Sequence, residues 1–588
     1  MKGIINRATS LPALAVLSLL SACGGSSGGI SGAPPPPGPP PPPPPPPSAT
    51  VNISGALSYE FPQRNSNCRG LNLDNPVLRP IRGATVQLLD AAGANVLDSQ
   101  PAGAGGTYSF DVASSTDFIL RVRAELQASN WDVQVRNNVD TSASPPPLAE
   151  RPIYAMDMAF NSGGASVTDL DLTASTGWDG NSYSATRVAA PFAILDSVYS
   201  AMQFILAEDG NAVFPPLDAF WSPDNQSASP TDIAAGDLPT SFYDGNNSLF
   251  LLGQAATDPD EFDDHIVVHE WGHYFEDNFS RSDSIGGSHG LGDALDMRTA
   301  FGEGWASALA GMALNDPIYC DTRSATAGGG FSAETTTGGV NGWFNEFTII
   351  RFIYDLWDTD NDAADNDTSS IGFGPIYQVM TGPQATTTAF TSVFTFATYL
   401  KQQGTGQESF IDGLLTDGGI NPTGIDIWGS TETNDGPASP PDVLDIYTPL
   451  TLGAAPVNIC VNSQFDNGRD GNKLSQHRYF TLNLPISQQV TFTVAANPAP
   501  SQPSGGFDCT ADANDPENNE HSDPDILVYR AGQLFVIGFA CTPNSEVATS
   551  GGQLAAGDYV IDLNEFRHED DDSPGNFPEQ VCFDVSAN

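Results

Sequence analysis

The sequence predicts a multidomain chain in which an α+β region lies between two β-rich regions. The chain has 588 residues, and at roughly 100–200 residues per domain this length corresponds to about three to five domains. Residues 50–165 and 451–588 show short runs of alternating or β-branched residues between glycine, aspartate and serine turns. Residues 166–450 instead show helical periodicity in several segments. Hydrophobic residues make up 39% of the chain, which is enough to build cores for these regions.

The charge balance excludes one class of partner. Lysine and arginine together number 21 and aspartate and glutamate 71, which gives a formal net charge of −50. A nucleic-acid-binding surface neutralises phosphates with lysine and arginine, so no nucleic-acid partner is expected.

The first residues predict export. Residues 1–22 have a basic start and an apolar stretch too short to span a membrane, as in a signal peptide. The segment Leu20–Cys23 resembles the lipobox of bacterial lipoproteins, which implies cleavage before Cys23 and a lipid anchor on it. Gly24 then favours the outer membrane or cell surface, and a plain secretory signal is the alternative. Residues 23–49 are rich in proline and predict an extended polyproline II linker.

Both β-rich regions resemble known accessory modules. The strand order in residues 50–165 resembles small prealbumin-like, carboxypeptidase-regulatory-like β-sandwiches. Residues 451–588 resemble the pre-peptidase C-terminal β-sandwiches that follow many secreted bacterial peptidases. These resemblances imply two flanking β-sandwiches without catalytic residues of their own.

Cysteine usage agrees with an oxidising compartment. Apart from Cys23, six cysteines remain, and an even number in an exported protein suggests disulfides. Cys68 and Cys320 either pair across regions or stay free. The other four lie near the C-terminus and predict two bridges of unknown connectivity: Cys460, Cys509, Cys541 and Cys582.

A metal-binding motif lies in the second of four predicted helices, which cover residues 187–206, 261–279, 294–314 and 344–357. The motif is His269-Glu270-Trp271-Gly272-His273. Positions i and i+4 lie on one helix face, so two imidazoles converge on one ion. Neutral imidazole suits Zn²⁺, and the intervening glutamate is placed to accept a proton from an activated water.

A catalytic zinc normally takes a third protein ligand and leaves one position open. The metzincin pattern fails, because Glu276 and Phe279 stand where it needs glycine and histidine. Glu303, on the next predicted helix, and His289, in a loop of glycine and serine, are the alternatives.

HEWGH followed by GEGWAS resembles the thermolysin-like gluzincins, most closely the fungalysin family. The resemblance implies a zincin catalytic domain over 166–450 and a zinc endopeptidase acting on peptide or protein substrates. It implies that His269, His273 and Glu303 hold Zn²⁺ and that Glu270 is the general base. Residues Thr240–Gly245 resemble the family's edge strand, which implies substrate binding by Ser241, Phe242 and Tyr243.

The chain departs from the family at Ser307, where an aspartate orients the first zinc-binding histidine. Asp264 and Asp277 are alternative partners for that histidine. This departure and the flanking β-regions motivate a second hypothesis, a catalytically inactive zincin-fold lipoprotein for surface binding or adhesion. An aminopeptidase is disfavoured because no motif for the substrate amine precedes HEWGH.

Stabilisation of the substrate oxyanion requires a further donor. Tyr354, on the fourth predicted helix, and His289 are the candidates, and a core aromatic is the simpler interpretation of Tyr354. His265, one turn before His269, is expected to be structural rather than a ligand.

Calcium is a second candidate cofactor. Residues 358–367 alternate carboxylates as calcium loops do. The EF-hand glycine is replaced by Ala363 and the acidic twelfth position by Ser369, so a solvated acidic turn is favoured.

Overall fold

The computed structural model describes residues 49–324, 326–335, 338–359, 366–437, 443–466, 470–498, 522–540, 542–569 and 578–588. The signal peptide, Cys23 and nearly all of the predicted linker therefore lie outside the described residues.

The first part of the described chain forms two β-sheets. Its strands are β1 (Thr50–Phe61), β2 (Val77–Pro80), β3 (Ala84–Asp90), β4 (Val96–Pro101), β5 (Thr107–Ala113), β6 (Asp117–Ala128), β7 (Trp131–Arg136), β8 (Ala155–Asn161) and β9 (Leu172–Ala174).

The larger of these sheets continues into the second part of the chain, whose strands are β10 (Leu217–Trp221), β11 (Gln226–Ser227), β12 (Asp237–Leu238), β13 (Phe242–Tyr243), β14 (Ser248–Leu251), β15 (Gly253–Gln254) and β16 (Asp258–Pro259). Its order is β13-β14-β10-β7-β6-β3-β4, with β8 paired to β6. The join is the parallel pair β7–β10, in which Val133 lies opposite Leu217. The predicted boundary at residue 165 therefore does not coincide with a break in the sheet, and a separate prealbumin-like sandwich is not confirmed.

The smaller sheet has the order β2-β1-β5, with β9 beside β1. Both sheets place alternate residues into one core, since successive side chains of a strand point to opposite faces. On β6, for example, Phe118, Leu120 and Val122 are buried while their neighbours are not. This core is continuous with the core around the helices.

The helices are α1 (Ala189–Glu208), α2 (Asp264–Phe279), α3 (Met297–Leu314), α4 (Glu346–Trp357), α5 (Phe373–Val379), α6 (Val393–Gln402), α7 (Glu408–Asp417) and α8 (Phe566–Glu569). The first four lie within a few residues of the predicted segments. Among the described residues, α1 is the one helix long and apolar enough to cross a membrane, and 72% of its apolar window is buried inside the fold.

Two glycines let the helices of the site approach one another closely. A Cβ on Gly272 of α2 would lie 2.8 Å from the Cα atom of Ala306 on α3. A Cβ on Gly304 of α3 would lie 2.5 Å from the Cβ atom of Ile349 on α4. Both distances are shorter than the roughly 3.5–4.0 Å of carbon–carbon contact, so only glycine fits without moving a helix. The glycines of HEWGH and GEGW thus bring α2, α3 and α4 together.

A hairpin of β17 (Ile318–Asp321) and β18 (Gly329–Ser332) follows α3.

The last part of the chain is a β-sandwich with its own core, as the sequence predicts. The sandwich strands form one sheet of order β19-β21-β26-β23-β24 and another of order β20-β27-β22-β25. They are β19 (Tyr447–Pro449), β20 (Val457–Asn462), β21 (His477–Leu484), β22 (Thr491–Ala496), β23 (Pro524–Arg530), β24 (Gln533–Gly538), β25 (Ser545–Thr549), β26 (Gly557–Glu565) and β27 (Gln580–Ala587).

Two disulfides are present in the described residues. Cys68 bonds to Cys320 and so joins the loop after β1 to β17. Cys460 bonds to Cys582, which lies directly opposite it in the pair β20–β27. Cys509 and Cys541, the other two of the four C-terminal cysteines for which the sequence predicts two bridges of unknown connectivity, lie outside the described residues.

Candidate metal centre

The helix α2 is fixed at its start by a buried carboxylate. Asp263 precedes the helix, and its side chain accepts hydrogen bonds from the backbone N–H (2.6 Å) and the hydroxyl of Thr322. This contact ties the start of α2 to the end of the hairpin strand β17. The helix then presents His269 and His273 on one face, as the i, i+4 spacing predicts.

Three ligand atoms converge at this face. Nε2 of His269 lies 3.2 Å from Nε2 of His273. Oε2 of Glu303, on α3, lies 3.2 Å from Nε2 of His269 and 3.4 Å from Nε2 of His273. A tetrahedral ion with bonds of about 2.0–2.1 Å separates its ligands by about 3.3 Å, so the spacing fits zinc. These three residues form one set whose ligand atoms all lie within 4.8 Å of one another.

His269 is oriented by Ser307 itself. Its Nδ1 lies 3.0 Å from the Ser307 hydroxyl, which is buried one helical turn after Glu303. The alternative partners suggested by the sequence are engaged elsewhere. Asp264 accepts from Arg79 and Ser197, and Asp277 accepts from the Tyr243 hydroxyl. The Ser307 hydroxyl, and neither of these two aspartates, is thus the partner of His269 Nδ1.

Glu270 lies beside the ligands and contacts the predicted edge strand. The backbone N–H of Tyr243, on β13, donates to Oε2 of Glu270 at 2.8 Å. Burial is the main cause that raises the pKa of Glu270 above its ordinary value. A raised pKa favours proton acceptance near neutral pH, as a general base requires.

The three residues expected to bind substrate have different environments. Phe242 and Tyr243 form β13, which is the edge of the eight-stranded sheet. The side chain of Ser241 is instead buried, where it bonds to Asp260 and accepts from the N–H of Leu252. Ser241 thus supports the strand from inside, and its hydroxyl does not face the metal centre.

His289 approaches the site without joining the set of three. Its Nε2 lies 3.5 Å from Oε2 of Glu303 and 3.9 Å from Oε2 of Glu346. Burial alone would lower the pKa of His289, but the charges of Glu303 and Glu346 raise it above its ordinary value. His289 therefore stands at the edge of the site, outside the set of three residues whose ligand atoms converge.

Glu346 is a carboxylate of the site that sequence analysis missed. It is the first residue of α4, behind the cap formed by Asn345, whose side chain accepts from the N–H of Thr348. It is only 3% exposed, and burial raises its pKa to about 7. No metal motif includes it, so only the packing of α4 against Gly304 brings it to the site.

Tyr319 lies near the candidate metal ligands, whereas Tyr354, the tyrosine suggested by the sequence, lies away from them. Tyr354 abuts Gly311, two helical turns beyond Glu303, and its ring contacts Trp357. The ring centroid of Tyr319, on β17, lies 6.1 Å from that of His269 in an edge-on arrangement. Burial, followed by the charge of Glu270, raises the pKa of the Tyr319 hydroxyl well above its ordinary value. That hydroxyl therefore stays protonated and available as a donor.

His265 has a structural contact. Its Nε2 lies 2.9 Å from the carbonyl oxygen of Asp316, and it stands outside the set of three ligand residues.

The predicted calcium loop is only partly described. Asp358 and Asp367 join Glu334 in a group of carboxylates whose oxygens lie within 4.8 Å of one another. The carboxylates between residues 360 and 365 lie outside the described residues, so a calcium site here stays a prediction.

Comparison with known families places this site within a matched region. Residues 217–409 match the family model described as the mycolysin C-terminal domain. The match begins with β10, ends in α7 and includes all residues of the metal centre, and it relates the chain to peptidases in general. A search of curated proteins finds no match.

Two solved structures show distant similarity. The pre-peptidase C-terminal domain of a collagenase from Bacillus anthracis is 10% identical and covers 24% of this chain and 94% of its own length, with a TM-score of 0.15. A cycloisomaltooligosaccharide glucanotransferase from Paenibacillus sp., complexed with cycloisomaltoheptaose, is 9% identical and covers 90% of this chain and 72% of its own, with a TM-score of 0.10. At these TM-scores neither similarity bears on fold or function.

Proposed function

We propose that the chain is a zinc-dependent endopeptidase. The observation that supports this most strongly is the triangle of Nε2, Nε2 and Oε2 atoms of His269, His273 and Glu303, with sides of 3.2–3.4 Å. Two imidazoles and one carboxylate with an open fourth position are the donor set of catalytic zinc. The region that matches the mycolysin C-terminal domain model contains all three residues.

Each residue around the triangle has a role in peptide hydrolysis. A bound zinc ion supplies Lewis acidity, which activates water near pH 7 and polarises a carbonyl. Glu270 accepts the proton of the attacking water and passes it to the leaving amine. His289 and Tyr319 donate to the negative charge that develops on the carbonyl oxygen of the substrate.

The edge strand β13 supports a protein substrate rather than a small ester or amide. An extended peptide adds to an exposed sheet edge through main-chain hydrogen bonds. Because Tyr243 of this strand also bonds to Glu270, a peptide aligned on β13 would pass beside the general base. The natural substrate class is therefore an unfolded or extended polypeptide.

The test is hydrolysis of casein by the wild type and by Glu270→Gln, with zinc measured in both proteins. The variant should bind zinc as the wild type does and lose at least about 10²-fold in kcat, since it cannot accept a proton. Glu150→Gln, an exposed glutamate, serves as the matched control and should stay fully active. Zinc bound with no hydrolysis by the wild type would overturn the proposal and favour the inactive binding lipoprotein.

We also propose that the chain is exported and anchored by lipid at Cys23. The proposal is supported by the resemblance of Leu20–Cys23 to a lipobox and by the apolar segment before it. Labelling with a fatty-acid analogue in a bacterial host should depend on Cys23, and Cys23→Ser should abolish both label and membrane association. Label that persists in Cys23→Ser would contradict the anchor.

A further inference from the structure

We propose that the C-terminal β-sandwich contributes to the candidate active site, because two of its residues, Asn472 and Lys473, position His289. The inference rests on the proposed peptidase function. It assigns a role to the connection between β20 and β21, which carries no catalytic motif. The segment that this connection holds is defined as the 286–289 loop.

The 286–289 loop has no secondary structure of its own. Residues 281–290 form neither helix nor strand, and several of them are exposed. A loop of glycine and serine loses much conformational entropy when it is ordered, so its position needs contacts from outside. Yet this loop places Nε2 of His289 at 3.5 Å from Oε2 of Glu303.

The required contacts come from the β-sandwich. Nδ2 of Asn472 donates to the carbonyl oxygens of Gly286 (2.9 Å) and Ser288 (3.1 Å). Nζ of Lys473 donates to the carbonyl oxygen of Ser288 at 2.8 Å. Together they bind two carbonyls of the loop directly before His289.

The approach is close enough to require glycine. Gly287 has a φ of +94°, and a Cβ there would lie 2.9 Å from Nδ2 of Asn472. His289 also bonds through Nδ1 to the carbonyl oxygen of Gly287 at 3.2 Å. The conformation of this glycine therefore links the sandwich contact to the orientation of the imidazole ring.

Asn472 and Lys473 are themselves firmly held. Asn472 is fully buried and Lys473 is 2% exposed. Lys473 is one of three lysines in the chain, and burial of an ammonium group is costly unless it is paired. Its Nζ bonds to the Asn472 side chain and lies 3.9 Å from carboxylate oxygens of Asp293 and Asp470.

The same connection also joins the backbone that leads into α3. The N–H of Asp296 donates to the carbonyl oxygen of Asn472 at 2.8 Å, and the N–H of Leu474 donates to that of Ala294 at 2.9 Å. Arg298, the second residue of α3, pairs with Asp562 of β26 at 2.8 Å, and both are almost fully buried. The sandwich thus contacts the active-site region at the loop of His289 and at the start of the helix that carries Glu303.

The experiment uses the full chain and a double-mutant cycle. Asn472→Ala and His289→Ala should each lower kcat by about 10–100-fold, because an ordered donor is lost from the reacting group. KM and zinc affinity should change less than about threefold, since the ligand triangle is untouched. If Asn472 acts through His289, the loss of kcat in the double variant should be no greater than the loss in His289→Ala alone.

A second measurement does not depend on hydrolysis. Hydrogen exchange of the amides in residues 285–292 should accelerate in Asn472→Ala and in Lys473→Met, with exchange of α2 unchanged. Asn458→Ala removes an exposed asparagine contact in the same sandwich and is the matched control. If the proposed peptidase activity fails altogether, this readout still shows whether the sandwich holds the loop.

Two results would overturn the inference. The first is a double variant whose loss in kcat equals the product of the two single losses, because Asn472 would then act independently of His289. The second is unchanged exchange of residues 285–292 in both Asn472→Ala and Lys473→Met.

Discussion

Substitution of Gly272 by alanine tests whether close helix packing builds the metal centre. Gly272 lies between His269 and His273, and its added Cβ would lie 2.8 Å from Cα and 3.1 Å from Cβ of Ala306. Normal contact requires about 3.5–4.0 Å, so α2 and α3 must separate by about 1 Å. Zinc sites tolerate about 0.2 Å in their bond lengths, so the separation should disrupt the site that Glu303 completes.

The effect on stability should be much smaller than the effect on zinc. Overpacking costs about 1–3 kcal/mol, whereas replacing glycine by alanine inside a helix returns about 1 kcal/mol. We therefore expect the free energy of unfolding of Gly272→Ala to lie within about 2 kcal/mol of the wild-type value. The variant should bind zinc at least about tenfold more weakly.

The assay is zinc affinity by chelator competition, with chemical denaturation of the metal-free protein. Gly413→Ala is the matched control, because Gly413 lies inside α7 and its added Cβ would have no neighbour closer than 3.4 Å. This control should keep wild-type zinc affinity. Wild-type zinc affinity in Gly272→Ala would show that the helix separation has no bearing on the metal centre.

Three further changes have defined outcomes. Ser307→Ala removes the partner of His269 Nδ1 and should weaken zinc binding by about 10-fold, measured by chelator competition; unchanged affinity would contradict the orienting role. Tyr319→Phe should lower kcat on casein by about 10-fold or more while zinc stays bound, and Tyr354→Phe should not; equal rates would exclude the donor role. Burial raises the pKa of Glu565 to about 7, so its folded form holds a proton that the unfolded chain releases above about pH 4.5. Its contribution to stability is complete below that pH and is lost as pH rises through about 7. Chemical denaturation should therefore show Glu565→Gln gaining about 2–3 kcal/mol relative to wild type between pH 4 and pH 8, and a pH-independent difference would contradict this.

The sequence was sufficient for the parts of the site that depend on local spacing. The i, i+4 histidines, the glutamate between them and the helical periodicity around Glu303 all follow from the geometry of one or two helices. The structure brings ligand atoms of His269, His273 and Glu303 to within 3.2–3.4 Å of one another. Such features are short-range, and a motif records them directly.

Residues brought together by long-range packing could not be predicted in the same way. Tyr319 reaches His269 only because the hairpin β17–β18 folds back beside α2, and Glu346 reaches the site only because α4 packs on Gly304. A tyrosine on an amphipathic helix, as at Tyr354, has the same local pattern whether it faces a site or a core. The one available signal was glycine, since GEGW has a glycine where a helix would otherwise favour alanine.

The domain boundary at residue 165 shows the same limit. The change from strand-like to helical periodicity is a property of the local sequence, whereas the parallel pairing of β7 with β10 joins segments about 80 residues apart. Composition alone therefore suggests a separate N-terminal module where the sheet and the core are continuous.

Zinc-edge anomalous scattering from crystals of the purified protein would test the metal centre most directly. We expect one strong peak at about 2.0–2.1 Å from Nε2 of His269 and His273 and about 2.0–2.2 Å from a carboxylate oxygen of Glu303. A peak absent from this position in zinc-loaded crystals, or present only at a carboxylate cluster elsewhere, would contradict a zinc peptidase.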